Sequence, residues 1–452
     1  MTGPVREQWL SRIGFVLAAA GSAVGLGNIW RFPYVLGEQG GAVFLLIYLV
    51  CIIFIGYPVM VTEISIGRIT QRNPVGAFKA LAPGTPWWIV GAIGVLTGFI
   101  ILSFYSVIAG WSVSFIFKAL TGFPVGAEAA GEFFVGHITG VAEPLIMHFI
   151  FMVITAGIIA AGVVKGIQRV VTYLMPALVV LMLVVILRSV TLPGAGEGIA
   201  FMFTPDFSVI TIDTFLSAIG QAFFTLSLGM GAILTYGSYL SSKDDIPKSS
   251  LQVIFADTSI AILAGFAIFP AVFAIGLDPA SGAGLAFITL PAVFAEMPAG
   301  EFFGFVFFLL LSIAALTSAI SLLEVVAAYF IDEKGWTRKQ AALLMGAIIF
   351  IVGIPPALHA GALGHVTIIG MDMLDFYDFV SDSIMLPLGG VLTVIFAGHF
   401  WGMKALTDEA NKGATGMKVG NWMAPFLKYI IPIGVFVVMV VGVLGRFGIE
   451  LF

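Results

Sequence analysis

Residues 21–33 read GSAVGLGNIWRFP, three glycines and an arginine set inside what is otherwise the first long apolar run of the chain. In lipid an unsatisfied backbone polar group costs several kcal/mol, so glycines that break a helix at bilayer depth are tolerated where the freed carbonyls face protein or a polar cavity. A helix broken in this way points to a binding site near the membrane midplane.

Working outward, 452 residues that are 60% hydrophobic and 10% charged, with mean hydropathy +1.10, exclude an ordinary soluble domain. The net charge of -5 offers no basic footprint, so no nucleic-acid partner is expected, and the single cysteine, Cys51, has no intrachain partner. Arg12 leads into an apolar stretch ending in GLGNIW rather than a short signal core with a cleavage site, so the N-terminus is expected to stay attached.

Apolar segments near the length of a bilayer crossing fall at 12–36, 41–68, 87–120, 145–163, 170–190, 214–240, 251–276, 300–330, 338–356, 376–400 and 425–447. They predict an all-α integral membrane protein of about eleven transmembrane helices. Of the twenty Lys and Arg, all but Arg31, Lys118, Arg188 and Arg446 fall in loops or ends on one side. That asymmetry puts the N-terminus in the cytoplasm of a multi-pass protein. The longer connections are 122–143, 278–299, 357–375 and 402–424, and no soluble domain fits between spans.

A second interruption lies in span six, where FFTLSLGMGAILTYGSY (223–239) sets Thr225, Ser227, Gly229 and Gly231 in an apolar run. Glycine and small residues also serve plain helix packing in membranes, but here the interruptions recur in the first members of two successive groups of five. This predicts one transporter-like domain built as an inverted five-helix repeat, 12–190 and 214–400, with broken helices 1 and 6 and an additional helix at 425–447. The GLG fragment is no dinucleotide loop, because no strand precedes it.

With REQW at 6–9, TEISIGR at 62–68, GQAFFTLSLGMGAILTYGSY at 220–239, ALTSAIS at 315–321 and Asp375-Phe376, the chain resembles the neurotransmitter:sodium symporter family over nearly its whole length, in particular the bacterial amino-acid transporters. The resemblance implies a sodium-coupled symporter in the cell inner (plasma) membrane, without enzymatic activity. It also implies two sodium sites. The first joins Ala23, Asn28, Thr225 and Asp257 to the substrate carboxylate, and the second joins carbonyls of Gly21, Val24 and Ala314 to the hydroxyls of Thr317 and Ser318.

An amino-acid zwitterion needs partners for both charges, which half-helix ends supply without buried side-chain charge. By the resemblance, Gly25, Gly27 and the Tyr105 hydroxyl take the carboxylate, and the backbone around Ala23, Phe224, Thr225 and Ser227 takes the ammonium. Family carriers of monoamines have an Asp where this chain has Gly25, which favours an amino acid over an amine. Ile101, Tyr105, Phe224, Ser227, Met230, Ser318, Ser321 and Leu322 then form an apolar pocket with a few hydroxyls, suited to a hydrophobic or aromatic side chain.

Arg31 and Asp375 resemble the family's extracellular gate above a Phe224 lid, and Arg6 and Asp332 the inner gate, with Trp9 and Tyr239 around it. Gly166 and Pro176, with nine residues between them, resemble a family motif for local unwinding of span five, and Glu63 a scaffold acceptor for the broken helices. In chloride-dependent members an Asn and a Ser stand where this chain has Asp257 and Ala261, while Tyr48 and Gln221 are retained. Transport without chloride is therefore expected, with proton antiport through Asp257 open. His137, His148, His359, His365 and His399 lack metal-ligand spacing. An ion channel lined by the broken helices and a proton-coupled permease are the competing readings.

Overall fold

The computed structural model describes residues 6–277 and 282–449. Among them helix dominates, and the only β pairing is an isolated bridge between Ile368 and Met371. Eight helices are long and apolar enough to cross a bilayer: Ala42–Thr70, Trp88–Ala119, Ala142–Ala160, Val163–Val190, Ile246–Ala274, Gly300–Lys334, Met373–Ala410 and Met423–Arg446. The first span is a broken pair, Arg12–Ala23 and Gly27–Glu38, bent by 50°. The sixth is interrupted too, as Ile212–Thr225 and Ala232–Gly237, and the ninth is Arg338–Val352 continued by Ile354–Ala357. Each of the eleven expected stretches therefore holds helix.

Several boundaries differ from the hydropathy reading. The fifth helix begins at Val163, because Gly162 at φ 103° resets the chain just after the fourth helix ends. The tenth continues to Ala410, where Glu409 is drawn inward by a buried ion pair to Arg68 at 2.8 Å. The connections carry short helices of their own, Ala127–Ile138 and Thr289–Glu296. Residues 278–281 of the 278–299 connection lie outside the described residues.

The first break follows from its residues. Ser11 caps the first half-helix by accepting from the Gly14 amide at 3.1 Å, and the helix ends at Val24, whose ψ of 101° is extended. At Gly25 a Cβ would stand 2.2 Å from the Ser318 Oγ and 2.9 Å from the Tyr105 hydroxyl, so only glycine permits this approach. In the second break Ser227 sits at φ 54° without being glycine, a conformation costing about 1–3 kcal/mol unless its surroundings enforce it. Its hydroxyl donates to the Ser22 carbonyl at 2.8 Å, which fixes it there.

Helices three and eight pack along each other, and the first half of helix one is enclosed by helices five, seven and eight and the second half of helix six. The two breaks thus meet at the centre. Exposed apolar residues such as Val180, Leu187, Phe255 and Ile351 form the outer surface, as a lipid-facing wall requires.

Candidate functional site

Between the breaks lies one cavity whose wall includes Ala23, Gly25, Gly27, Ile101, Tyr105, Phe224, Ser227, Met230, Ser318 and Leu322, all expected from the sequence. Its volume of about 20 Å³ is room for roughly one water. A leucine- or phenylalanine-sized side chain therefore enters only when the walls part. Thr225 and Ser321 stand behind this wall: Thr225 turns to Asp257, and Ser321 accepts from the Ser22 hydroxyl at 2.7 Å.

At one side of the cavity the backbone amides just before the second half-helix converge. The Gly25 amide donates to the Asn28 Oδ1 at 3.1 Å, and the Leu26 amide donates to the Tyr105 hydroxyl oxygen at 3.2 Å. Asn28 in turn donates to the Asp257 carboxylate at 2.8 Å, and the Thr225 hydroxyl donates to the same oxygen at 3.1 Å. Asn28, Thr225 and Asp257 are all buried, and Gln221 donates to the Gly27 carbonyl at 2.9 Å. Ala23 completes this side from the cavity wall.

The second set assembles against helix eight. Thr317 donates to the carbonyls of Ala314 at 2.9 Å and Val24 at 3.2 Å, and Ser318 donates to the Ser22 carbonyl at 3.0 Å. A Cβ at Gly21 would lie 3.4 Å from the Thr317 Cβ, so Gly21 brings its backbone against the same hydroxyls. A donating hydroxyl keeps its lone pairs, and this cluster of neutral oxygens is chemically able to surround a hard cation. Glu63 accepts from the Gly229 amide at 2.7 Å, bracing the second break from outside the cavity.

At the N-terminal face Arg6 pairs with Asp332 at 2.5 Å and lies over the Tyr239 ring at 4.7 Å. Trp9 donates from its indole to the Tyr236 carbonyl at 3.0 Å and packs edge-on against Tyr239. At the opposite face the expected pair is corrected. Arg31 binds Asp382 at 2.8 Å and covers the Phe224 ring at 4.5 Å, while Asp375 lies near Arg446 at 3.5 Å with about half its side chain exposed. Seven residues of helix separate the two aspartates, a rise of about 10 Å, so of these two it is Asp382 that reaches the depth of Arg31, where Asp378 also lies close to the guanidinium.

The sequence matches the sodium:neurotransmitter symporter family over residues 6–128 and 135–447. The chain belongs to this family. A relative from Bacillus subtilis (strain 168), described as an uncharacterized sodium-dependent transporter YhdH, is 40% identical over 97% of the chain and 98% of its own length. Another from Methanocaldococcus jannaschii, the uncharacterized sodium-dependent transporter MJ1319, is 35% identical over 95% of the chain and 88% of its own length. The crystal structure of MhsT in complex with L-phenylalanine matches with a TM-score of 0.88 at 49% identity, covering 96% of the chain and 99% of MhsT. The protein is accordingly a multi-pass membrane symporter coupled to sodium, and not an enzyme.

Three parts of this symporter's site escaped the sequence reading. Ser22 is the acceptor shared by Ser227 and Ser318, although it lies inside the quoted motif. Asp382 has the same chemistry as Asp375, and the looser winding of Phe379–Met385 between them carries no local signal that would have favoured it. Behind the Arg6–Asp332 pair the buried Glu324 accepts from the Tyr239 hydroxyl and pairs with Arg338 at 2.7 Å, a contact between helices six, eight and nine that has no local signal.

Proposed function

We propose that this symporter imports hydrophobic or aromatic L-amino acids with sodium, by alternating access and without a chloride requirement. The observation that carries the reading is Gly25: the absent side chain leaves the Gly25 backbone and the Tyr105 hydroxyl in the cavity wall, where an α-carboxylate can take the Tyr105 hydroxyl proton and replace Asn28 and Tyr105 as acceptor for the Gly25 and Leu26 amides. Ile101, Phe224, Met230 and Leu322 supply apolar walls, and L-phenylalanine bound by MhsT supports that side-chain class.

In this reading Ala23, Asn28, Thr225 and Asp257 hold one sodium together with the substrate carboxylate, and Gly21, Val24, Ala314, Thr317 and Ser318 hold a second. The Asp257 carboxylate, bonded by Asn28 and Thr225, supplies the negative charge beside the first ion that chloride would otherwise provide. The functional unit is one domain of two five-helix halves, 12–190 and 214–400, with 425–447 added. It lies in the inner (plasma) membrane with its N-terminus cytoplasmic, so Arg31–Asp382 closes the outer path and Arg6–Asp332 the inner one.

The test is competition by the amino acids against one radiolabelled hydrophobic substrate in proteoliposomes, with and without sodium and with gluconate replacing chloride. Sodium-driven uptake inhibited by leucine, tyrosine or tryptophan, but not by tyramine, is expected. Tyramine competing as well as tyrosine overturns the carboxylate assignment, sodium-free uptake favours proton coupling, and a large uncoupled conductance favours a channel.

A further inference from the structure

The fifth helix starts without a cap of its own. Its N-cap residue is Gly162 at φ 103°, which has no side chain to accept the first free amides. The amide of Val163 donates instead to the Glu7 Oε2 at 2.7 Å, across 156 residues of sequence. The turn that follows is loosely wound, since the Ile167 amide donates five residues back to the Gly162 carbonyl at 3.1 Å. It is also pressed onto helix four: a Cβ at Gly166 would lie 2.0 Å from the Ile158 carbonyl oxygen. At the far end of the turn Gln168 accepts from the Leu10 amide at 3.0 Å, and its side chain lies where a Cβ at Gly14 would stand, 2.4 Å from its Nε2.

Both ends of the turn 163–168 are thus tied to residues 7–14. The same segment closes the N-terminal face through Arg6–Asp332 and Trp9. Glu7 also faces the Arg338 guanidinium at 3.7 Å, so its carboxylate is held between helix nine and the start of helix five.

The geometry points to Glu7 as a positioning residue that couples the gate at the N-terminal face to the first turn of helix five. While the gate is closed, the carboxylate caps that turn from another part of the chain and meets the positive end of its dipole. When residues 6–10 leave, the turn loses the Glu7 cap and the Gln168 tie together and opens. The inference uses the alternating-access reading only for the departure of residues 6–10.

The experiment is amide hydrogen exchange on the full-length protein in lipid nanodiscs, with sodium and without amino acid, so that a wrong substrate assignment leaves it interpretable. Glu7→Ala should speed exchange in 163–168 by roughly two- to thirty-fold, the range for losing a cap, and leave 97–115 unchanged. Glu7→Gln, which keeps an acceptor oxygen, should restore part of the protection. Val163→Pro removes the donor at the first helical position, where proline is tolerated, and Glu7→Ala should add nothing on top of it. Asp332→Ala, which breaks the gate from helix eight, should open the same turn. Unchanged exchange in Glu7→Ala, additive effects with Val163→Pro, or an Asp332→Ala variant that releases 6–10 while 163–168 stays protected would each overturn the coupling.

Discussion

Asp382 rather than Asp375 should be the energetic partner of Arg31. The guanidinium and the Asp382 carboxylate stand 2.8 Å apart with 21% and 16% of their side chains exposed. Breaking a buried pair costs about 3–5 kcal/mol and an exposed one about 0–1, so a pair at this exposure is worth about 1–3 kcal/mol. That corresponds to roughly 5- to 150-fold in a rate or binding constant. Arg31 also covers the Phe224 ring at 4.5 Å, a contact worth about 0.5–1 kcal/mol. Arg31→Ala should therefore be worse than Asp382→Asn by that margin. The assay is the initial rate of sodium-driven uptake into proteoliposomes, taken as kcat/KM for both single variants and the double variant. A coupling energy above about 1 kcal/mol between 31 and 382, and near-additivity between 31 and 375, is expected of neighbouring and separated groups respectively. Asp375→Asn matching Asp382→Asn in severity and coupling to Arg31 would refute the corrected gate.

Three further outcomes follow from the centre of the molecule. Replacing Thr317 and Ser318 together by Ala removes the two hydroxyls facing the Val24 and Ser22 carbonyls, and the sodium concentration for half-maximal substrate binding should rise at least about tenfold; unchanged sodium dependence sinks the second sodium set. Gly25→Ala places a methyl 2.2 Å from the Ser318 Oγ, and overpacking of about 1–3 kcal/mol should weaken substrate binding in a protein that still folds; wild-type affinity, measured by scintillation proximity, contradicts the close approach. Asp257→Asn should depress uptake or make it respond to chloride, whereas the wild type should work equally in gluconate; strong chloride dependence of the wild type rules out the carboxylate's proposed role.

What the sequence made legible was the local backbone chemistry. GSAVGLG and SLGMG mark both breaks because glycine is needed where the chain leaves helical geometry or backbones touch, and Gly25 and Gly229 do meet neighbours that leave no room for a Cβ. The same holds for Thr317 and Ser318, whose spacing in ALTSAIS puts both hydroxyls toward helix one. Depth along a helix was less legible. Asp375 and Asp382 carry the same chemistry, and only the packing of helix ten against helices three and eleven decides which reaches Arg31. The start of helix five was hidden for a related reason, since one apolar run covers the end of helix four and Gly162 alone divides it from the next helix.

With the second sodium set as proposed, the arrangement around Ser22 gives ions with no directional preference a way to act on helix positions. Its carbonyl accepts from Ser227, which holds a strained turn of helix six, and from Ser318 of helix eight, while Thr317 uses the adjoining Val24 carbonyl. Helices one, six and eight are therefore joined by hydrogen bonds to backbone oxygens that the first break has freed from helix. In the proposed second site, a sodium ion drawing on the Val24 carbonyl and the oxygens of Thr317 and Ser318 would compete for the same lone pairs and reorient both hydroxyl protons. Ser227 lies outside that proposed ion set, so its bond to Ser22 and the left-handed turn it supports would persist. In the proposed cycle, ion binding thus changes the contact of helix one with helix eight while its contact with helix six is kept. The two broken helices would then move as a pair against helix eight, and the energy for that motion comes from exchanging hydroxyl–carbonyl bonds for ion–oxygen contacts within a site that carries almost no side-chain charge.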